Sequence, residues 1–92
     1  MSKIESFENL LGWKESTGLI KSLKNIFNFD KYNPLLNQLF RSSISIPSNI
    51  SEGFERRTNK EYIQFLFIAK GSCGELRTQF YIAYEMDLIS QK

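Results

Sequence analysis

The sequence contains no histidine, and this absence restricts the chemistry that the chain can perform. Histidine is the commonest general base near neutral pH and a usual ligand of zinc. Serine is plentiful, but without histidine no serine has its conventional activating base. The only cysteine is Cys73, which excludes an internal disulfide and an ordinary zinc site. The sequence therefore predicts a protein that is not an enzyme, with no catalytic residue, no metal ligand and no cofactor.

Long apolar runs and a strong charge imbalance are also absent. No stretch is apolar enough to span a membrane, and the charged start Met1–Glu5 is unlike a signal peptide. Twelve Lys and Arg against ten Asp and Glu give a net charge of +2, too small to identify a nucleic-acid-binding protein from charge alone. The 92 residues, 41% of them hydrophobic, predict one domain over residues 1–92 with a small core. We expect a cytoplasmic protein without a membrane partner.

Helical periodicity predicts an all-α fold, and the first helix spans about Leu10–Asn28 with Asn9 as its N-cap. Five residues recur at steps of three and four and form one face: Trp13, Thr17, Ile20, Leu23 and Phe27. The segment Phe29–Asn33 is the predicted connection to the second helix.

The second helix has a proline in its interior. Asn33 is its predicted N-cap and Pro34 its first helical residue, where the missing amide costs nothing. The helical phase is the same on both sides of Pro47, which favours a kinked, continuous helix ending at Gly53 over a helix that stops before the proline. Gly53 suits the left-handed conformation that often closes a helix. The predicted apolar face comprises Leu36, Leu39, Phe40, Ile44, Ile46, Pro47, Ile50 and Phe54.

The third helix is predicted over Asn59–Met86, with Thr58 or Asn59 as its cap. Its apolar seam follows heptad steps: Tyr62, Leu66, Ala69, Cys73, Leu76, Phe80 and Ala83. Cys73 is therefore expected to be a small buried residue. The small residues of Gly71–Gly74 either let a neighbouring helix approach closely or form a turn; the unbroken heptad phase favours one helix.

The polar side of the second helix is made mainly of short uncharged side chains. It comprises Gln38, Arg41, Ser42, Ser45, Ser48, Asn49 and Glu52. A solvated face is usually richer in Lys and Glu, so this composition favours contact with another chain or a fourth helix over open water. We take Gln38, Ser45, Asn49 and Glu52 as candidate interface residues, and we expect Asn49 and Glu52 to be buried and hydrogen-bonded.

Positive charge is concentrated around the exit of the second helix, at Arg41, Arg56, Arg57 and Lys60. The segment from Arg41 to Lys60 has four positive and two negative residues, so it accounts for the whole excess of +2. This group is either an ordinary solvated turn or a patch that contacts phosphates, with Lys21 and Lys24 as extensions.

Aromatic residues outside the seam point around most of the third helix: Phe65, Phe67, Tyr81 and Tyr84. A helix that is apolar over so much of its circumference must be covered on several sides. Three helices of one small chain cannot easily cover it, so the sequence predicts a homo-oligomer.

Several motifs together resemble a known family. They are Phe7–Leu10, Trp13–Lys14, Gln38–Ser43, Ser45–Gly53, Ala69–Ser72, Glu75–Leu76 and Gln79. With them the chain resembles the four-helix bundle proteins encoded in intervening sequences of bacterial 23S ribosomal RNA. It is also similar to the accessory proteins of diversity-generating retroelements, which are basic pentameric barrels that engage a reverse transcriptase and nucleic acid.

The resemblance implies an antiparallel, up-and-down helical bundle that assembles as a ring, typically a pentamer. The family has four helices, and the segment Phe7–Ile89 accounts for three of them. RNA or DNA and a reverse transcriptase are the partners that it implies. We expect a non-catalytic assembly module acting as a nucleic-acid-binding accessory factor, or alternatively a structural module that binds another protein.

Overall fold

The computed structural model describes residues 6–26 and 33–88, and this part of the chain is all-α. After a single 3-10 turn at Phe7–Asn9, helix α1 spans Leu11–Ile26, α2 spans Pro34–Phe54 and α3 spans Asn59–Glu85. Helix α2 packs against both of its neighbours, whereas α1 and α3 make no close backbone approach in the described part. Gln38 and Ser45 of α2 contact Gln79 and Ser72 of α3, respectively, so α2 and α3 are antiparallel. Helix α1 is antiparallel to α2 as well, because Gly12 lies near Ile50 and Ile20 near Ile44. The fold is therefore the predicted up-and-down bundle.

The starts of α2 and α3 are fixed by the predicted caps. The Asn33 side chain accepts hydrogen bonds from the amides of Leu35 and Leu36, at 3.0 and 3.2 Å. The Thr58 hydroxyl oxygen accepts one from the Glu61 amide at 3.2 Å. Each cap satisfies amides that have no partner within the helix.

The first helix begins differently from the prediction. Asn9 does not cap it, because Asn9 belongs to the preceding 3-10 turn and α1 starts at Leu11. The Trp13 ring packs edge-on against Phe7, with 5.5 Å between ring centroids, and this contact holds the turn against the helix. The predicted helix end at Phe27 and Asn28 and most of the predicted connection lie outside the described residues.

Helix α2 runs without interruption through Pro47, as the helical phase predicted. Proline in a helix interior costs about 3 kcal/mol. Pro47 is buried, so the packing contacts that bury it offset this cost. Because proline has no amide hydrogen, the Ser43 carbonyl four residues earlier loses its usual donor. We predict that a nearby hydroxyl or a water molecule donates a hydrogen bond to this carbonyl. Both this hydrogen bond and the kink at Pro47 stay predictions.

The core is centred on α2, where Leu39 is fully buried. Its buried apolar residues are Leu23, Leu36, Leu39, Ile46, Ile50, Ala69, Leu76 and Ala83. Ile44 was predicted on the apolar face but is exposed, while Ser42 and Ser43 are buried. Helix α3 covers the side of α2 that carries short polar residues such as Ser45. Ile44 lies on the other side, at the groove between α1 and α2.

Helix α3 is continuous from Asn59 to Glu85, so no turn forms at Gly71–Gly74. Its buried residues are Ala69, Ser72, Leu76 and Ala83. The predicted seam is therefore partly wrong, because Leu66 and Cys73 are exposed. Burial on α3 is displaced toward Ser72, since α2 presents small side chains on that side.

Candidate interaction surfaces

The polar side of α2 packs against α3 of the same chain. The hydroxyl oxygens of Ser45 and Ser72 lie 2.8 Å apart, and the Asn49 side-chain amide donates to the Ser45 carbonyl at 2.8 Å and the Ser45 hydroxyl at 2.9 Å. Gln79 donates to Gln38 at 3.5 Å, although Gln38 remains exposed. The sequence predicted contact rather than open water, but expected another chain or a fourth helix. The structure places α3 there, and Ser72 and Gln79 are the interface residues that sequence reasoning missed.

Glu52 does not join this interface, and its predicted burial is wrong. Its side chain is 54% exposed and forms an ion pair with Arg56. Asn49 is half-buried and hydrogen-bonded, so the expectation for it is met in part. A step of three residues from Asn49 to Glu52 rotates the side chain about 60° from the line that meets α3, whereas Gly53, four residues on, stays near it.

Gly53 permits a close approach of α2 and α3. A Cβ atom at this position would lie 2.7 Å from Phe65 Cβ and 3.2 Å from the Tyr62 carbonyl oxygen. No described glycine has a positive φ, and α2 continues to Phe54. The predicted left-handed role of Gly53 is therefore wrong; the absence of a side chain, not a special backbone conformation, suits glycine here.

The four predicted phosphate-contacting residues do not form a single patch. All of them are exposed, but Arg41 lies about 20 Å from the C-terminal end of α2, at a rise of about 1.5 Å per residue. Arg56, Arg57 and Lys60 lie around the turn between α2 and α3. The basic residues are thus divided between two regions of the bundle.

Arg56 is already engaged within the chain. It pairs with Glu52 and its guanidinium carbon lies 4.7 Å from the centre of the Phe65 ring. The carboxylate neutralises its charge locally, and the ring covers one side of it. Arg57 and Lys60 form no ion pair with a described residue, so they are the available cations at this turn.

A groove between α1 and α2 contains the predicted extension of the basic region. Its apolar lining comes from Ile20, Phe40 and Ile44, and Lys21 and Lys24 lie beside them. This groove faces the first half of α2, and it is therefore remote from the α2–α3 turn. Lys21 and Lys24 accordingly lie toward the half of α2 that carries Arg41, and not beside the α2–α3 turn.

Large hydrophobic side chains are exposed along α3 on the sides that do not face α2. Phe67 is 65% exposed and Tyr81 is 69% exposed. The other large hydrophobic residues exposed along or directly after α3 are Ile63, Leu66, Ile68, Ile82, Tyr84 and Met86. The aromatic excess therefore lies on the surface as predicted, apart from Phe65, which is half-buried beside Gly53.

The described residues contain no group of three or more Cys, Asp or Glu that could hold a metal ion. Within the same ranges, no helix combines the length and apolar character needed to cross a membrane.

No curated protein matches this chain significantly. The family model described as 23S rRNA-intervening sequence protein matches residues 8–92, which is nearly the whole sequence. The chain therefore belongs to the 23S rRNA-intervening sequence protein family.

Proposed function

We propose that this chain is a non-catalytic assembly module that works as a homo-oligomer. The observation that carries the proposal is the exposed apolar side of α3, centred on Phe67 and Tyr81. Scattered apolar residues are normal on a protein surface, but a contiguous patch usually marks an interaction site. Here the exposed large hydrophobic residues form two groups along one helix, the first within residues 63–68 and the second within residues 81–86.

The composition of α3 supports association between copies. Surface helices normally have one apolar side and one charged side. Helix α3 buries one side on α2 and still exposes large hydrophobic residues on the others. The resemblance described above implies five copies in a ring, whereas the exposed hydrophobic residues of α3 support association between copies without indicating their number.

The first test is the effect of concentration on thermal unfolding. Association stabilises the folded chain by mass action, so the melting temperature of an oligomer rises with protein concentration. We expect a clear rise between micromolar and several hundred micromolar chain. A melting temperature that stays constant over this hundredfold range would show that no association is coupled to folding.

Nucleic-acid binding is the finer role that we propose for the assembly. The exposed cations Arg57 and Lys60 support it, while the pairing of Arg56 with Glu52 reduces the local charge. One such turn is too weakly charged for tight binding. Several equivalent turns on one oligomer would bind a single polyanion with avidity.

The charge reversal Arg57→Glu tests this role. We expect weak, sequence-independent binding of a labelled oligonucleotide by the wild type at low salt, with an affinity that falls steeply as salt is added. Arg57→Glu should weaken binding by at least about tenfold. It should also reduce the salt slope, because fewer counterions are released on binding when a phosphate contact is lost. Fluorescence anisotropy measures both quantities.

Arg41→Glu is the matched control, since it makes the same charge change away from the turn. Equal loss in the two variants would indicate an effect of net charge and not of the turn. An absence of wild-type binding at tens of micromolar protein would leave the protein-binding module as the function of the assembly.

A further inference from the structure

The groove between α1 and α2 combines an apolar floor with a basic edge. It has a volume of about 420 Å³, and both helices contribute to its floor. The side chains of the floor are Thr17, Ile20, Phe40 and Ile44. Ile44 is 51% exposed, so the floor retains apolar surface that a partner can cover.

The charge along this groove is positive only, within the described part of the chain. Lys21 and Lys24 are exposed at its α1 edge, and neither forms an ion pair with a described residue. Residues 17–26 and 34–51 contain no Asp or Glu, and the exposed Arg41 adds a cation on α2. Helix α3 packs on the other side of α2, so its carboxylates lie away from the groove. A ligand that complements this surface is therefore both apolar and acidic.

We infer that the α1–α2 groove binds an acidic amphipathic helix of a protein partner. The inference goes beyond the proposed function, because it uses a different surface from α3 and does not depend on the number of copies. A helix seated between two others covers an apolar floor with residues at steps of three and four. Its carboxylates then lie beside Lys21 and Lys24, whose spacing of three residues places them on one side of α1.

The length of the groove fits a short helical contact. Thr17 and Lys24 are about 10 Å apart along the axis of α1, which is about two helical turns. Two turns of an incoming amphipathic helix present three or four apolar residues to the floor. An interface of this size is small, so we expect weak binding, with a dissociation constant of about 10–100 µM.

The aliphatic floor favours a helix over a nucleic acid as the ligand. Single strands bind by stacking their bases on exposed aromatic rings, and duplexes bind mainly through phosphates. A phosphate backbone has no apolar group that could cover Ile20 and Ile44. An acidic amphipathic helix satisfies both parts of the groove, because it covers the floor and also pairs with the lysines.

The test uses fluorescence anisotropy with two synthetic peptides. The first is a labelled peptide of about twenty residues, with leucine at helical steps of three and four and glutamate at the flanking positions. The second has lysine in place of each glutamate. We expect the full wild-type chain to bind the acidic peptide at least about tenfold more tightly than the basic one, because the groove edge is positive.

Two substitutions in the groove and two matched controls locate the binding. Lys24→Glu and Ile44→Ser should each weaken binding of the acidic peptide by about fivefold or more, through lost charge pairing and lost apolar contact. Lys70→Glu makes the same charge change on α3, and Leu11→Ser removes an exposed aliphatic side chain at the start of α1. Both controls should stay within about twofold of the wild type. All four residues are exposed, so circular dichroism should show unchanged helix content.

Several outcomes would overturn the inference. One is no binding of the acidic peptide at several hundred micromolar protein, and another is equal loss in the groove variants and their controls. An oligonucleotide that binds in place of the peptide and is weakened by Lys24→Glu and Ile44→Ser would assign the groove to nucleic acid.

Light scattering separates this inference from the proposed assembly. A lower mass for Ile44→Ser than for the wild type would show that a second copy covers the groove, and would overturn the inference while keeping the assembly module. A monomeric wild type that binds the acidic peptide as expected would overturn the assembly module and keep the inference.

Discussion

Replacing Leu39 by alanine should lower the free energy of unfolding by about 2–5 kcal/mol, the range for removing a large apolar side chain from a core. Leu39 lies in the middle of α2 with none of its surface exposed. Its loss removes apolar burial and leaves a cavity that neighbours such as Leu36 cannot fill without moving. Urea denaturation at one fixed protein concentration measures the change.

Leu11→Ala is the control for this prediction, because it makes the same chemical change at the exposed start of α1. We expect a change within about 0.5 kcal/mol for it. Similar losses in the two variants would mean that α2 does not form the centre of the core.

Replacing Gly53 by alanine should destabilise the protein by about 1–3 kcal/mol, although alanine is the better helix former. The added methyl group would lie 2.7 Å from Phe65 Cβ and would press on the Tyr62 backbone. Because backbone atoms yield little, α2 and α3 must separate. The measurement is again urea denaturation, with the midpoint and slope compared between variants.

Gly18→Ala makes the same change in α1 where a Cβ atom meets nothing within 4 Å. It should stabilise the protein by up to about 1 kcal/mol through helix propensity alone. The two variants are therefore expected to shift stability in opposite directions. A stabilising Gly53→Ala would contradict the close approach of α2 and α3.

The features predictable from the sequence were those that depend on neighbouring residues. The caps at Asn33 and Thr58 act on amides two or three residues away, so local sequence determines them. The continuity of α2 through Pro47 followed from its unchanged helical phase. The fold class needed only the number and type of the helices.

The side of α3 that faces α2 was not predictable with the same accuracy. Two heptad series overlap on this helix: one passes through Leu66 and Cys73, and the other through Ser72 and Gln79. Hydrophobicity favours the first series. The structure favours the second because Gly53 and Ser45 let α3 pack closely on the polar side of α2, a fit that depends on two helices at once.

The predicted interface and basic residues lie in separate parts of the structure for a similar reason. Asn49 and Glu52 lie on one polar side of α2, but only Asn49 lies near the line of contact with α3, where it bonds Ser45. Arg41 and Arg56 were assigned to one basic group because charges were counted along the sequence and not in space. The length of α2 separates them in space, and the Glu52 ion pair removes Arg56 from the available cations.

The most direct test of the proposed assembly is the mass of the wild-type chain in solution. The single chain has a mass of 10.8 kDa. Light scattering coupled to gel filtration at micromolar concentration should give a whole-number multiple of this mass, of at least two chains. A single monodisperse species of 10.8 kDa would contradict the account, because it would leave the apolar side of α3 in water.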